Sequence, residues 1–447
     1  MAGLHTTVKV VGSKCNYDCQ YCFYLEKDLL LKSKKPMNIE TLETYIKNYI
    51  SSQDTPIVEF AWHGGEPTLI GIDFFEKAVE FQKQYANGKL IKNTIQTNGS
   101  KLNSDWCRFF RENNFLVGLS LDGPEWLQEK YRTKQGKSAF KESFSALKLL
   151  QKMNVEYNVL ACVTKEYCKH AEAIYSFFRK NKVKHIQFSP LVESSPLETE
   201  QARGQHFGSN LIFSTDKHHT DPQKYEPIAW SVDAKEYGRF LTDVFHLWVS
   251  QDVGKVFISN FEQALTQYLG NPSPNCIHAK KCGSSYAVEA NGDVYFCDHV
   301  AYPESKLGNV FETSLHEMSL NHELQFNKES RLSMRCKQCQ FLSLCNGGCP
   351  KHRYLSDTGE YENVLCDGYF YFFSSVQKYL QAMTTLLAHG YPASYVMQAL
   401  DGPLILTPSN KRQSINGYFE NNGDHHRSAR SVFGCGRNGR QNKAPNS

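Results

Sequence analysis

Cys15-Asn16-Tyr17-Asp18-Cys19-Gln20-Tyr21-Cys22-Phe23-Tyr24 is the stretch from which the fold can be read outward. Three cysteines at a Cys-x3-Cys-x2-Cys spacing follow a short apolar run, Val8-Lys9-Val10-Val11-Gly12. Thiolates this close on one loop can converge on a single soft metal centre. Three is one short of the four that close an iron–sulfur cube. A [4Fe–4S] cluster held here would keep one iron open to an exogenous ligand. Zinc is the competing reading, and it asks for a fourth Cys or His at short spacing. The nearest later histidine is His63. A chance group of buried cysteines is the third reading.

Outward from this loop, short apolar runs alternate with amphipathic stretches. Strands are expected at 7–12, 57–62, 91–97, 116–121, 156–163 and 184–189, and helices at about 38–52, 73–86, 103–113, 139–153 and 168–181. Six such units specify a parallel sheet with right-handed crossovers, an α/β partial (β/α)6 barrel. Eightfold closure would need two more strands, and none is visible before residue 200. Barrels of this kind carry chemistry at the C-terminal ends of their strands. Ala61-Trp62-His63-Gly64-Gly65-Glu66-Pro67 falls there, where two glycines let the backbone approach a ligand and Glu66 offers an anionic acceptor. A plain strand-to-helix turn fits the same residues. Gln96-Thr97-Asn98-Gly99 and Ser120-Leu121-Asp122-Gly123-Pro124 end the third and fourth strands.

Residues 193–230 are too polar and too long for an ordinary connector, and read as a substrate loop. Within it His218-His219 suggest metal or, more simply, solvated side chains. Helices near 233–250 and 257–269 lead to a second cysteine field at 276, 282, 297, 336, 339, 345, 349 and 366. Eight thiolates suffice for two four-iron clusters or two zinc sites. Cys107, Cys162 and Cys168 have no metal spacing and read as core. Residues 367–401 read as aromatic-rich helices packing back on the barrel. The expected divisions are 1–230, 231–270, 271–370, 371–401 and a basic, disordered tail at 402–447, in which Cys435 is too isolated to be a ligand.

A formal net charge of +4 over 447 residues, with a +5 excess in the tail alone, gives no case for nucleic acid. No apolar run is long enough to span a bilayer. Met1 to His5 lead straight into strand-like sequence without a signal peptide. Fifteen cysteines then point to a reducing, cytoplasmic setting.

Cys15, Cys19 and Cys22, with Tyr21 before the third, resemble the signature of radical S-adenosylmethionine (SAM) enzymes. The resemblance implies that the open iron chelates SAM, which one electron cleaves to a 5′-deoxyadenosyl radical. Gly64-Gly65-Glu66-Pro67 resembles the element holding the SAM ammonium. Ser120 and Arg132 resemble the positions that bind its carboxylate, and Tyr21, Tyr24 and Val192 join the cofactor-binding set. Relatives often carry His-Asp where Gln128-Glu129 stand here, and Arg132 also fits an ordinary helix arginine. His63 is expected to line the substrate site without binding metal. The later cysteines resemble the SPASM domain, which implies Cys276, Cys282, Cys297 and Cys349 on one auxiliary cluster and Cys336, Cys339, Cys345 and Cys366 on the other.

Over residues 5–385 the chain resembles anaerobic sulfatase-maturating enzymes, most specifically at Cys15–Tyr24, Gly64–Thr68, Asn291–Asp298 and Leu344–Cys349. That implies three [4Fe–4S] clusters, SAM, a sulfatase polypeptide as substrate, and a flavodoxin- or ferredoxin-like electron donor. It also implies that Asp298, directly after Cys297, is the base in oxidation of a Cys or Ser to Cα-formylglycine. A peptide-crosslinking SPASM maturase and a zinc-dependent adaptor are the alternatives.

Overall fold

The computed structural model describes residues 3–31, 35–210, 224–282, 285–323, 328–329 and 331–399. His218, His219, the tail from 402 and Cys435 lie outside them. The expected alternation is present as β1 (His5–Lys9), α1 (Ile39–Ser51), β2 (Ile57–His63), α2 (Ile72–Tyr85), β3 (Leu90–Thr97), α3 (Ser104–Glu112), β4 (Phe115–Ser120), α4 (Phe140–Lys152), β5 (Tyr157–Val163), α5 (Ala171–Lys180) and β6 (His185–Pro190). Asparagine side chains open two of the helices: Asn38 accepts from Thr41 N at 2.7 Å, and Asn103 from Asp105 N and Trp106 N at 3.0 Å.

There follow α6 (Ala234–Val249), β7 (Phe257–Ile258), α7 (Ser259–Tyr268), β8 (Ser285–Glu289), β9 (Asp293–Tyr295), β10 (Lys306–Asn309), β11 (Arg353–Leu355), β12 (Tyr361–Asn363) and α8 (Cys366–Ala388).

One sheet runs through barrel and cysteine field, in the order β10-β9-β8-β1-β2-β3-β4-β5-β6-β7. From β8 to β7 every neighbour is parallel, while β8–β9 and β9–β10 are antiparallel. Strands flanking the six core strands therefore come from after residue 200, which is why the first two hundred residues show only six. The first strand also departs from its expected span of 7–12. It ends at Lys9, because Gly12 adopts φ 58° and donates to Lys9 O at 3.0 Å, turning the chain. Val10 and Val11 are apolar because the turn is buried, not because it is strand.

The helices after the cysteine field do return to the barrel. α8 crosses α6 at glycines: a Cβ on Gly368 would lie 2.0 Å from Ala234 O, and one on Gly238 would lie 2.5 Å from Gly368 O. This contact fixes the start of α8, and with it Cys366.

Candidate active site and cysteine fields

Register places the first group of functional side chains. Lys9 pairs with His63 on β2 and with Glu289 on β8, so three ionisable residues stand in one row at strand C-termini. Lys9 is fully buried, and its ammonium forms an ion pair with Asp298, lies 3.1 Å from His63 Nδ1 and sits 3.9 Å over the Tyr24 ring. The Tyr24 hydroxyl is bonded to Glu289. His63 Nδ1 also accepts from Gly64 N at 2.9 Å. Two donors on Nδ1 leave the ring proton on Nε2, and burial helped by Lys9 pushes the imidazole down to about 4. Burial opposes ionisation of Asp298, but Lys9 with His63 and His299 outweighs it and holds the carboxyl at about 2. Glu289, buried, is pushed up to about 7.

The cysteine loop is anchored from both sides. Asp18 N and Gln20 N donate to Thr133 O and Tyr131 O at 2.9 Å, and Asn98 reaches Cys15 Sγ at 3.8 Å. Cys15, Cys19 and Cys22 lie within electrostatic reach of one another. Burial pushes Cys15 up to about 12 and raises the other two. Thiols desolvated in this way ionise when a bound cation offsets the charge, so the donor set fits a metal cluster.

The Gly-Gly turn packs against this loop. Gly65 N donates to Gly12 O at 2.7 Å and Glu66 N to Lys14 O at 2.9 Å. A Cβ on Gly65 would stand 2.0 Å from Lys14 O. The second glycine is thus required by backbone meeting backbone, a reason that the ligand-approach argument did not supply. Glu66 is buried and holds the turn, accepting from Thr68 N (3.0 Å), Thr97 Oγ1 (2.7 Å) and Asn98 N (2.7 Å). Arg132 is buried and clamps Asp122 through Nε and Nη2, each at 3.1 Å, so it is no surface arginine. Asp122 also takes the Tyr21 hydroxyl at 2.7 Å and Cys162 N at 3.0 Å, drawing Cys162 into the same wall. Gln96 donates to the Ser120 hydroxyl at 2.8 Å, and Val192 is buried beyond β6. Tyr24 faces Lys9 and Glu289.

The later cysteines gather in two fours. Cys297 is within electrostatic reach of Cys276, Cys282 and Cys349; Cys366 is within reach of Cys336 and Cys339, and Cys345 of Cys336 and Cys366. Every cysteine among the described residues is free of disulfide. His299 Nδ1 stands 3.7 Å from Cys349 Sγ, and His352 joins them with ligand atoms within 4.8 Å.

Sequence reasoning missed a further polar wall between the cysteine loop and the strand β11. Lys351 pairs with Glu193 at 2.6 Å and lies 4.5 Å over Phe23. Lys27 lies 3.0 Å over the Tyr302 ring. Glu26 Oε1, Lys27 Nζ, Glu193 Oε2, Tyr302 Oη and His352 Nδ1 are buried without a hydrogen-bond partner among the described residues. The available signal was a charge inside an apolar run, visible at Lys9 and Glu289 and faint elsewhere.

Residues 10–178 match the radical SAM superfamily and 276–349 match an iron–sulfur cluster-binding domain, SPASM. Fold and site therefore define a radical SAM enzyme with a SPASM domain. The chain is 41% identical over 412 residues to a serine-type anaerobic sulfatase-maturating enzyme of Bacteroides thetaiotaomicron, covering 90% of this chain and 96% of that one. It is 32% identical over 398 residues to a cysteine-type enzyme of Clostridium novyi, covering 87% and 99%. The solved structure of native anSMEcpe with bound AdoMet and Cp18Cys peptide superposes with TM-score 0.74 at 30% identity, covering 86% of this chain and 99% of that one. The chain belongs to the anaerobic sulfatase-maturating enzymes. Its cofactors are accordingly SAM and [4Fe–4S] clusters, and its cysteines suffice for three.

Proposed function

We propose that the chain oxidises a Cys or Ser side chain of a sulfatase polypeptide to Cα-formylglycine without oxygen. Besides family membership, the observation that carries this reading is the Lys9–Asp298 ion pair, with Asp298 directly after Cys297. Cys15, Cys19 and Cys22 would hold the SAM-binding cluster; Cys276, Cys282, Cys297 and Cys349 one auxiliary cluster; and Cys336, Cys339, Cys345 and Cys366 the other. When bound, these groups supply an adenosyl radical that removes a Cβ hydrogen and an acceptor for the second electron.

The chain's own residues bind, orient and move the proton. Gly64, Gly65 and Glu66 form the turn for the SAM ammonium, with Ser120, Arg132, Tyr21 and Val192 around its amino-acid end. Arg132 is preset by Asp122 through Nε and Nη2, which leaves the Nη1 donors for SAM. Lys9 keeps the Asp298 carboxylate ionised and fixed, ready to accept the thiol or hydroxyl proton. His63, neutral with Nε2 protonated, serves as a donor toward substrate, and Tyr24 closes the same wall. The donors and acceptors at Glu26, Lys27, Glu193 and Tyr302, unpartnered among the described residues, suit the backbone of an extended peptide. No helix among the described residues is long and apolar enough to cross a membrane. The family resemblance supports a flavodoxin- or ferredoxin-like electron donor.

The test is anaerobic incubation of reconstituted protein with SAM and sulfatase-derived peptides carrying Cys or Ser, read by mass spectrometry. Aldehyde in at least one peptide is expected. SAM cleavage that yields only a crosslinked peptide would move the chain to the peptide-crosslinking maturases.

A further inference from the structure

Lys328 and Arg353 are buried cations whose hydrogen-bond partners among the described residues are all backbone carbonyls. Lys328 is fully buried, and its ammonium donates to the carbonyls of Cys276 (3.4 Å), Ile277 (2.7 Å) and Ala279 (2.7 Å). Arg353, 2% exposed, donates to the carbonyls of Gly347 (3.1 Å), Lys328 (3.2 Å), Arg331 (3.1 Å) and Asn346 (3.3 Å). Among the described residues neither forms an ion pair. Lys9, Arg132 and Lys351, also buried, each have one, with Asp298, Asp122 and Glu193, while Lys27 rests on the Tyr302 ring. Carbonyl dipoles satisfy the donors but leave the charge, and an uncompensated buried charge is strongly disfavoured.

What surrounds these two cations is thiol. The Lys328 ammonium is seated on the Cys276 loop, within electrostatic reach of Cys276, Cys282 and Cys349. Arg353 reaches Cys282 and Cys349 of the first four and Cys336 and Cys345 of the second. The loop between Cys345 and Cys349 is shaped to admit its guanidinium: Gly347 has φ 73°, and a Cβ there would lie 2.5 Å from Arg353 Nη2. Arg353 is thus within electrostatic reach of both cysteine sets, and Lys328 of the first.

We infer that Lys328 and Arg353 are the built-in counter-charges of the two auxiliary cluster sites, and that they raise the clusters' reduction potentials. A four-iron cluster on four thiolates is anionic and gains one further negative charge when reduced by one electron. A fixed cation at short range in a low-dielectric interior favours the more negative, reduced form. Such sites are better disposed to accept the electron that the substrate must lose. The inference rests on the ligand sets proposed above.

The test uses the full-length protein with Cys15, Cys19 and Cys22 replaced by Ala, so that iron resides only in the auxiliary sites. Iron content reports the ligand sets; redox titration with dithionite, followed by electron paramagnetic resonance, reports the counter-charge. Lys328→Met should lower the midpoint potential of an auxiliary signal at unchanged iron content, and Lys328→Arg should keep it at the parent's value. Loss of iron in Lys328→Met but not in Lys328→Arg would support the same role, since charge is what the latter retains. Unmoved midpoints in Lys328→Met, or an equal shift or equal iron loss in Lys328→Arg, would overturn it. A parent without iron would instead remove the ligand sets themselves.

Discussion

The cysteine loop at the barrel mouth and the later cysteine field solve the same problem of holding thiolates in opposite ways. In the barrel, three cysteines occupy eight consecutive residues, Cys15 to Cys22, and the nearby cation Arg132 is neutralised by Asp122. In the field, eight cysteines are spread from Cys276 to Cys366, and two buried cations among them, Lys328 and Arg353, donate to carbonyls and form no ion pair among the described residues. The first is a preassembled protein site, charge-balanced in itself, that leaves room for a ligand. The second is balanced only with its thiolates ionised, so it depends on what those thiolates bind. A compact motif can therefore be rigid before loading, whereas a dispersed one gains its folding stability from metal.

That difference can be broken most sharply at the thiols. Replacing Cys15, Cys19 and Cys22 together by Ala should abolish SAM cleavage while removing about a third of the iron, since two four-cysteine sets remain. Retained cleavage with only a third of the iron lost, read by iron assay and chromatography of 5′-deoxyadenosine, would place the reactive site elsewhere. Asp122→Asn comes next, because it strands a buried guanidinium. Breaking such a pair costs about 3–5 kcal/mol, measurable as a lower denaturation midpoint. A smaller loss, about 1–3 kcal/mol, is expected for Gly65→Ala, whose Cβ would collide with the backbone of Lys14. It should also empty the first cluster and spare the auxiliary ones; uniform iron loss would contradict the separate anchoring of the two regions. Glu289 supplies an effect confined to a pH window. Its carboxyl, pushed up from the ordinary range to about 7 by burial, binds a proton in the folded protein more tightly than in the unfolded chain. Stability should therefore fall as pH rises from about 4.5 to about 7, by at most about 3 kcal/mol. Glu289→Gln should flatten that slope in denaturation series across this range.

Much of this was legible in the sequence for a physical reason. The alternation of apolar runs gives six strands because each is buried on its sheet face, and the three-cysteine loop is local, so spacing suffices to read it. Dispersed features were less accessible. The grouping of Cys366 with Cys336 depends on the crossing of α6 and α8 at Gly238 and Gly368, which no local pattern encodes. Lys9 sits inside an apolar run whose period says strand, and its partners at His63 and Asp298 come from residues far along the chain. The strand Ser285–Glu289 joins the barrel sheet through pairing with β1, a contact between distant segments. Gly65 is visible in the sequence as a turn glycine, yet the backbone it meets belongs to the cysteine loop.

Asp298 joins the two regions, following a cysteine of the field and pairing with a lysine of the barrel, so it offers the most direct measurement. Asp298→Asn keeps the shape and removes the carboxylate. Incubated anaerobically with SAM and substrate peptide, the variant should still release 5′-deoxyadenosine. Its formylglycine formation should slow by about 10²–10⁴-fold, the usual worth of a positioned base, so that aldehyde per SAM cleaved collapses. Formylglycine at the wild-type rate from the Asn variant would contradict the assignment and make the Lys9–Asp298 pair purely structural.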